Sequence, residues 1–345
     1  MAKLSSDIEA RKILTSIRQD KLNPVYILMG EEAYFIDLLV SAFEKNIIAE
    51  EDRDFNLNVF YGNDADVDYV IGAARQFPVM ADRKLVILKE AQTMNQAKAQ
   101  LDRFAPYVAN PSPGTVFVIA YKGEPLTAGS KLVKAAKSAG GVVFASNVPY
   151  DNELPRHIRD YCRERKFSID DKSVELLAEY IGLPLSKLFG EVNKLMSIKG
   201  SADSRITTDD IEKNIGISKD YNNLELTKAL ARKDYPKTMK IIRHFKASPK
   251  YNPTPVTTAM MLKFFSNLVI AHYMADKTDR ALYDELGLKS NYQLDDLKSA
   301  LRNYTAMQSV NAIHYLREFD TKSKGIGSLG NEYDLLAEII FKIFT

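Results

Sequence analysis

One cysteine, no tryptophan and four scattered histidines leave this 345-residue chain little for redox or metal chemistry. The single thiol, Cys162, excludes an internal disulfide, and His157, His244, His272 and His314 share no metal-ligand spacing, so no metal site is expected. An excess of one charge is missing too: 47 basic residues stand against 45 acidic ones. No global positive field can therefore drive nucleic-acid binding, and any basic site must be local. Long apolar runs are also absent. The most apolar helical stretch, MMLKFFSNLVIAHYM at 260–274, carries Lys263 and His272 and falls short of the roughly 18 residues that indicate a bilayer span. It reads as a buried helix. The N-terminal MAKLSSDIEARKILTSIRQ mixes charges through a helical period and offers no apolar signal-peptide core. The expectation is a cytoplasmic protein with no membrane contact.

What is present is 46% hydrophobic residues, enough for two or three domain cores. Between 24 and 148, short β-branched runs (VYILM, FNLNVFYG, KLVILKEA, TVFVIAY, GVVFASNV) alternate with amphipathic stretches at 32–49, 65–77, 95–109 and 127–139. That alternation predicts βαβ crossovers and a mostly parallel sheet covered on both faces. After NVPYDNELP the strand signals stop, and short helices with Asp or Thr caps run to about 216. Longer helical periods follow, broken at ASPKYNPTP, LGLKSNYQ and KGIGSLGN. The predicted class is α/β plus all-α, with an α/β domain over 1–148, a small helical domain over 149–216 and a helical domain over 217–345.

The run VYILMGEEAYFIDLLV, a strand entering a glycine turn and then a helix, is the place to look for a triphosphate site. A phosphate loop needs G-x-x-x-x-G-K-[ST], in which glycines admit backbone N–H groups to the phosphates, lysine neutralises them and a hydroxyl takes Mg²⁺. Counted from Gly30, those positions hold Phe35, Ile36 and Asp37, and all three fail. Glu31 and Glu32 also put carboxylates at the helix start, where they answer the helix dipole and repel phosphate. Gly30, Glu31 and Glu32 thus read as a degenerate nucleotide loop. Lys89-Glu90 closes KLVILKEA with a cation where a metal-binding aspartate belongs, and reads as a solvated strand end. GEPLTAGSK at 123–131 is one residue too long and reverses Ser and Lys; GIGSLG at 325–330 lies between helical segments and reads as a flexible turn. No G-x-S-x-G or H-E-x-x-H occurs, Cys162 reads as a helix-packing residue, and Asp170-Asp171 and Asp209-Asp210 read as helix caps. No catalytic residue, cofactor or active site is expected.

The segments NPVYILMGEEAYFIDLLV, FPVMADRKLVILKEA, GEVNKLMSI with ITTDDI, and LELTKALARKDYPKTMKIIRHF, in that order, resemble the delta-subunit family of the bacterial DNA polymerase III clamp loader. The resemblance spans nearly the whole chain; the G-E-E turn and PVMADRKLVIL are its most specific parts. It implies an AAA+ ATPase-like first domain that no longer hydrolyses ATP, a small helical lid and a helical collar. It also implies a part in DNA replication: gripping the sliding clamp (beta) and holding its ring open, beside gamma/tau and delta-prime subunits, with primer–template DNA met through the complex. The family's apolar clamp-contact pair falls on Val79-Met80. From the residues alone, these two side chains either plug another protein's apolar pocket or cap the domain's own core, and Phe77 reads as the core member of the segment. Val-Met departs from the Leu-Phe type of pair in better-known relatives, and no aromatic in TKSKGIGSLG matches a template-stacking residue. Two basic clusters could face DNA: Arg156, Arg159 and Arg163 on one helix face, and Lys240, Arg243 and Lys246 ahead of a Pro-rich loop. The competing readings are a divergent phosphate-loop ATPase or kinase, which predicts tight ATP binding, and a stand-alone helical DNA-binding regulator, which predicts salt-sensitive affinity for duplex DNA.

Overall fold

The computed structural model describes residues 5–200, 204–218, 220–249, 252–288, 291–324 and 331–345. It divides into two compact units, Met1–Pro149 with Pro184–Ser186, and Tyr150–Leu183 with Lys187–Thr345.

In the first unit, α1 (Ser6–Arg18) precedes β1 (Val25–Gly30), α2 (Ala33–Asn46), α3 (Arg53–Asn56), β2 (Leu57–Tyr61), α4 (Val67–Arg75) and β3 (Lys84–Lys89). Then come α5 (Ala97–Arg103), α6 (Ala105–Ala109), β4 (Thr115–Lys122), α7 (Lys131–Ser138) and β5 (Val142–Ser146). All five predicted strands form, every pairing is parallel, and the order is β2-β3-β4-β1-β5. Residues 55 and 56 of the FNLNVFYG run leave the strand and end α3 instead. Central strand β1 is buried at every residue, as a sheet covered on both faces requires. Because side chains alternate, Val25, Ile27 and Met29 join the core formed with α4 to α7, while Tyr26 points the other way and meets Phe43 of α2 edge-on at 4.6 Å.

The second unit is helical: α8 (Leu154–Glu164), α9 (Asp171–Tyr180), most of α10 (Leu185–Lys199), α11 (Thr208–Ile215), α12 (Asn223–Ala231), α13 (Tyr235–Ala247), α14 (Thr254–Tyr273), α15 (Asp279–Leu286), α16 (Asn291–Asn303), α17 (Ala306–Ser323) and α18 (Glu332–Phe344). Strand structure does not stop entirely after 148, since Ser168–Ile169 and Arg205–Ile206 pair as two-residue parallel strands β6 and β7. Helix α14 begins six residues before the apolar stretch noted above and reaches 20 residues, long and apolar enough to cross a membrane by length and composition. One face, including Met261, Phe265, Leu268 and Ala271, enters the core. Val256, Leu262, Ile270 and Tyr273 on the other face are exposed, so the helix is buried on one side only.

Candidate functional site

The first candidate is the carboxyl edge of the sheet, the usual ligand crevice of an open parallel sheet. Only Glu31 and Glu32 separate β1 from α2, far fewer residues than a phosphate loop needs. Gly30 pairs with both Lys122 and Ser146 and has φ +138°; a Cβ there would lie 2.0 Å from the Ser146 carbonyl oxygen. The turn is sealed further on. The Glu32 N–H donates to the Ser146 carbonyl at 3.3 Å, and the Ser146 hydroxyl donates to the Glu32 carbonyl at 2.6 Å. The Glu32 side chain is buried and caps α2, accepting from the Tyr34 N–H at 2.9 Å; it also accepts from the N–H of Leu185, part of the same unit, at 3.4 Å. A carboxylate of the chain itself thus occupies the helix N-terminus that could otherwise receive an anion. Glu31, by contrast, is exposed.

Lys89 and Glu90 are not a solvated strand end. Lys89 pairs with Glu44 of α2 at 2.7 Å, and Lys122 bridges Asp37 at 2.7 Å and Glu90 at 2.5 Å, with most of these side chains half-buried. The cause is the parallel register, which brings the ends of β3 and β4 beside α2, an adjacency that strand composition cannot report. Burial opposes the charge on Glu90, but hydrogen bonds from Lys122 and Gln92 and the Lys89 charge outweigh it and hold the carboxyl below its ordinary 4.5. Burial likewise opposes the Lys122 ammonium, and Asp37 and Glu90 raise it above 10.5. The Glu90 contribution to stability is complete above the ordinary carboxylate value and is lost as pH falls through the lowered one. The Lys122 contribution is complete below 10.5 and is lost as pH rises beyond it. Replacing Lys122 by Met should cost about 1–2 kcal/mol at pH 7, after discounting for the partial exposure of its partners. Urea unfolding across pH 3–7 should show Glu90→Gln reducing the acid sensitivity of the wild type, and equal slopes would refute this ion-pair account.

The GEPLTAGSK loop is closed in a similar way. Helix α7 begins at Lys131, and Asp102 of α5 accepts from the Ser130 hydroxyl at 3.0 Å and the Leu132 N–H at 3.2 Å. GIGSLG lies outside the described residues. Cys162 is buried and its thiol is pushed up to about 11 by that burial, with Arg165 opposing, so it is a poor nucleophile at neutral pH.

The second candidate is the connection from α4 to β3, an apolar tip whose backbone is fastened from several sides. Pro78 follows the end of α4 at Arg75 and lies 3.4 Å from the place a Cβ on Gly114 would take. The fully buried Asn56 accepts from the Val79 N–H at 2.8 Å and donates to the Val79 carbonyl at 2.9 Å. Buried Lys84 donates to Gln76 at 3.1 Å, and Arg83 forms a bidentate pair with Asp20. On this frame Met80 is 97% exposed, Val79 47% and Phe77 81%. Neither Val79 nor Met80 caps the domain core. The structure also corrects Phe77, which is not a core member. Pro78 and the Asn56 clamp turn the backbone outward there, whereas hydrophobicity alone had suggested burial. Met80 has φ +53°, a left-handed conformation that costs a non-glycine residue about 1–2 kcal/mol and persists only where its surroundings enforce it.

The basic clusters lie on exposed faces of the second unit. Arg156, Arg159 and Arg163 are all exposed on α8, opposite its buried His157, Ile158, Tyr161 and Cys162; Arg159 pairs with Asp171 at 2.7 Å and Arg163 with Asp160 at 2.6 Å. Lys240, Arg243 and Lys246 are exposed on α13, and Lys246 pairs with Asp334 at 2.6 Å. Surface pairs of this kind are worth at most about 1 kcal/mol and exchange readily for other anions.

One feature of the second unit had no signal in the sequence. A cavity of about 500 Å³ lined by residues of α9, α12, α14 and α16 includes Asp296, whose carboxyl is raised to about 6, chiefly by burial, with Lys228 and Arg232 opposing. A raised acid stabilises the fold below its ordinary 3.8 and loses that contribution as pH rises through about 6. Asp296→Asn should therefore stabilise the chain at pH 7 by about 1–2 kcal/mol and change little at pH 4. Denaturant midpoints at the two pH values test this.

A five-stranded parallel sheet in the order β2-β3-β4-β1-β5, with a tight glycine turn at its carboxyl edge, followed by a helical unit, defines an α/β plus all-α protein. Residues 26–146 match the family described as DNA polymerase III, delta subunit. The chain is 27% identical over 269 residues to the DNA polymerase III subunit delta of Bacillus subtilis, covering 76% of each protein. It is 22% identical over 315 residues to the Aquifex aeolicus protein described as "Probable DNA polymerase III subunit delta", covering 87% of this chain and 86% of that one. The solved Bacillus subtilis DNA clamp loader delta protein shares the fold, with a TM-score of 0.53 and 22% identity over 97% of this chain and 99% of that one. Over residues 26–146, and more weakly over most of its length, this chain is thus similar to the DNA polymerase III delta-subunit family.

Proposed function

We propose that this chain acts in the cytoplasm as the clamp-loader delta subunit of bacterial DNA polymerase III. It grips the sliding clamp and opens the ring for loading onto primed DNA during replication, without hydrolysing ATP itself. The observation that carries this reading is the pinned tip, which exposes Phe77, Val79 and Met80 together instead of burying them. A wedge that binds the open ring better than the closed one shifts the population toward opening and needs no chemistry of its own. The sealed turn at Gly30, Glu31 and Glu32 supports a subunit that leaves ATP to its sister subunits, gamma/tau, with delta-prime as a further partner. Phe77 adds the aromatic area that a Val-Met pair lacks. Residues 149–216 serve as the lid and 217–345 as the collar that joins the other subunits. Arg156, Arg159 and Arg163, and Lys240, Arg243 and Lys246, are the faces on which primer–template DNA would be met within the complex.

Affinity capture from a native extract tests the assignment: the clamp and other loader subunits should be recovered together, and recovery of neither would refute it. Calorimetry on the isolated chain addresses the ATPase alternative. No heat of ATP binding is expected, whereas tight binding abolished by changes at the Gly30 turn would replace this reading with that of a nucleotide enzyme.

A further inference from the structure

We propose that Asn56 is the positioning residue of the tip, setting the affinity for the sliding clamp without touching it. The inference rests on the reading of the tip as the clamp contact. Asn56 is the last residue of the four-residue helix α3, 23 positions before Val79 in sequence, and its side chain is fully buried. Its amide meets both backbone groups of Val79, at 2.8 and 2.9 Å, and also donates to the Asp52 carbonyl at 3.2 Å. The side chain thus does for one loop residue what a neighbouring strand does in a ladder. It satisfies the N–H and the C=O at once and fixes their direction.

Two consequences follow. With Val79 held, the chain cannot relieve the left-handed conformation of Met80 by rotating the preceding residue, so the two apolar side chains stay outward in the absence of a partner. Loss of this amide would leave the Val79 N–H and C=O without their partner, a cost the half-exposed tip avoids only by turning those groups to water, so the amide fixes the direction of the tip as well as stabilising it. Prior ordering lowers the entropic cost of association, and a tip that adopts the competent form a tenth of the time binds about tenfold more weakly.

The signature differs from loss of a contact. Removing a contact chiefly raises the dissociation rate; removing the positioning residue lowers the population able to bind, and so the association rate. With full-length protein and immobilised clamp, Asn56→Ala should reduce the association rate about tenfold and leave dissociation nearly unchanged, whereas Met80→Ala should accelerate dissociation. Asn56→Asp, which keeps the volume and the acceptor for the Val79 N–H but sets a buried carboxylate against the Val79 and Asp52 carbonyls, should reduce the association rate at least as much as Asn56→Ala. In the absence of clamp, amide exchange at Val79 and Met80 should quicken in Asn56→Ala. Wild-type binding with unchanged association rates in both variants overturns the role of Asn56 alone. Failure of both variants to fold makes Asn56 a structural residue and overturns it as well. A wild-type chain with no affinity for the clamp overturns the clamp reading itself, and this inference with it.

Discussion

Changing Val79 and Met80 together to serine is expected to weaken binding to the sliding clamp by about 10²–10⁴-fold while leaving the fold intact. Each apolar side chain that passes from water into a partner's pocket contributes about 1.5–3 kcal/mol, and serine retains almost none of it. Folding should change by less than about 0.5 kcal/mol, because both side chains are exposed and Asn56 holds Val79 through its backbone. Met80→Gly provides a sharper separation. It removes the side chain and at the same time relieves the left-handed strain, so the protein should become about 1 kcal/mol more stable while gripping less well. Surface plasmon resonance against the clamp, with thermal melts on the same samples, measures both. Undiminished affinity in the double variant would remove the tip as the contact. Phe77→Ser belongs in the same series, and a loss of about tenfold or more would bring it into the grip.

Gly30→Ala should be among the most damaging single substitutions in the first unit, with a cost of about 3–5 kcal/mol. Two independent obstacles coincide there. The backbone has φ +138°, which L side chains rarely adopt, and the new Cβ would lie 2.0 Å from a carbonyl oxygen of the neighbouring strand. That atom is backbone, so no side-chain rotation relieves the clash; β1 and β5 would have to separate where Ser146 and Glu32 seal the turn. Urea unfolding should show a markedly lower midpoint, and a wild-type midpoint would mean that the turn has more room than its geometry allows. Close packing of the two strands by itself accounts for glycine at position 30.

The same turn shows what can be read from one dimension. That Phe35, Ile36 and Asp37 do not match the phosphate-loop pattern is a matter of residue chemistry at fixed spacing. That the helix start is already filled by Glu32, and capped by it, needed coordinates, because Glu31 and Glu32 are equivalent on paper while only one of them is buried. The ion pairs among Asp37, Glu44, Lys89, Glu90 and Lys122 were invisible for a related reason. They join three elements that parallel crossovers bring together across more than 80 positions.

Local pattern alone determined that five strands alternate with helices in the first part of this chain and that helices make up the rest. Period-two and helical periodicities are set by neighbours within a few residues, and a parallel sheet buried on both faces writes its strands as unbroken apolar runs. It also determined that FPVMADR is an apolar interruption between a helix and a strand. The outward direction of Phe77, Val79 and Met80 was decided only in three dimensions. A short apolar run has the same hydrophobicity whether it faces in or out, and what turned this one outward is a proline against Gly114 and a buried amide supplied from 23 residues away.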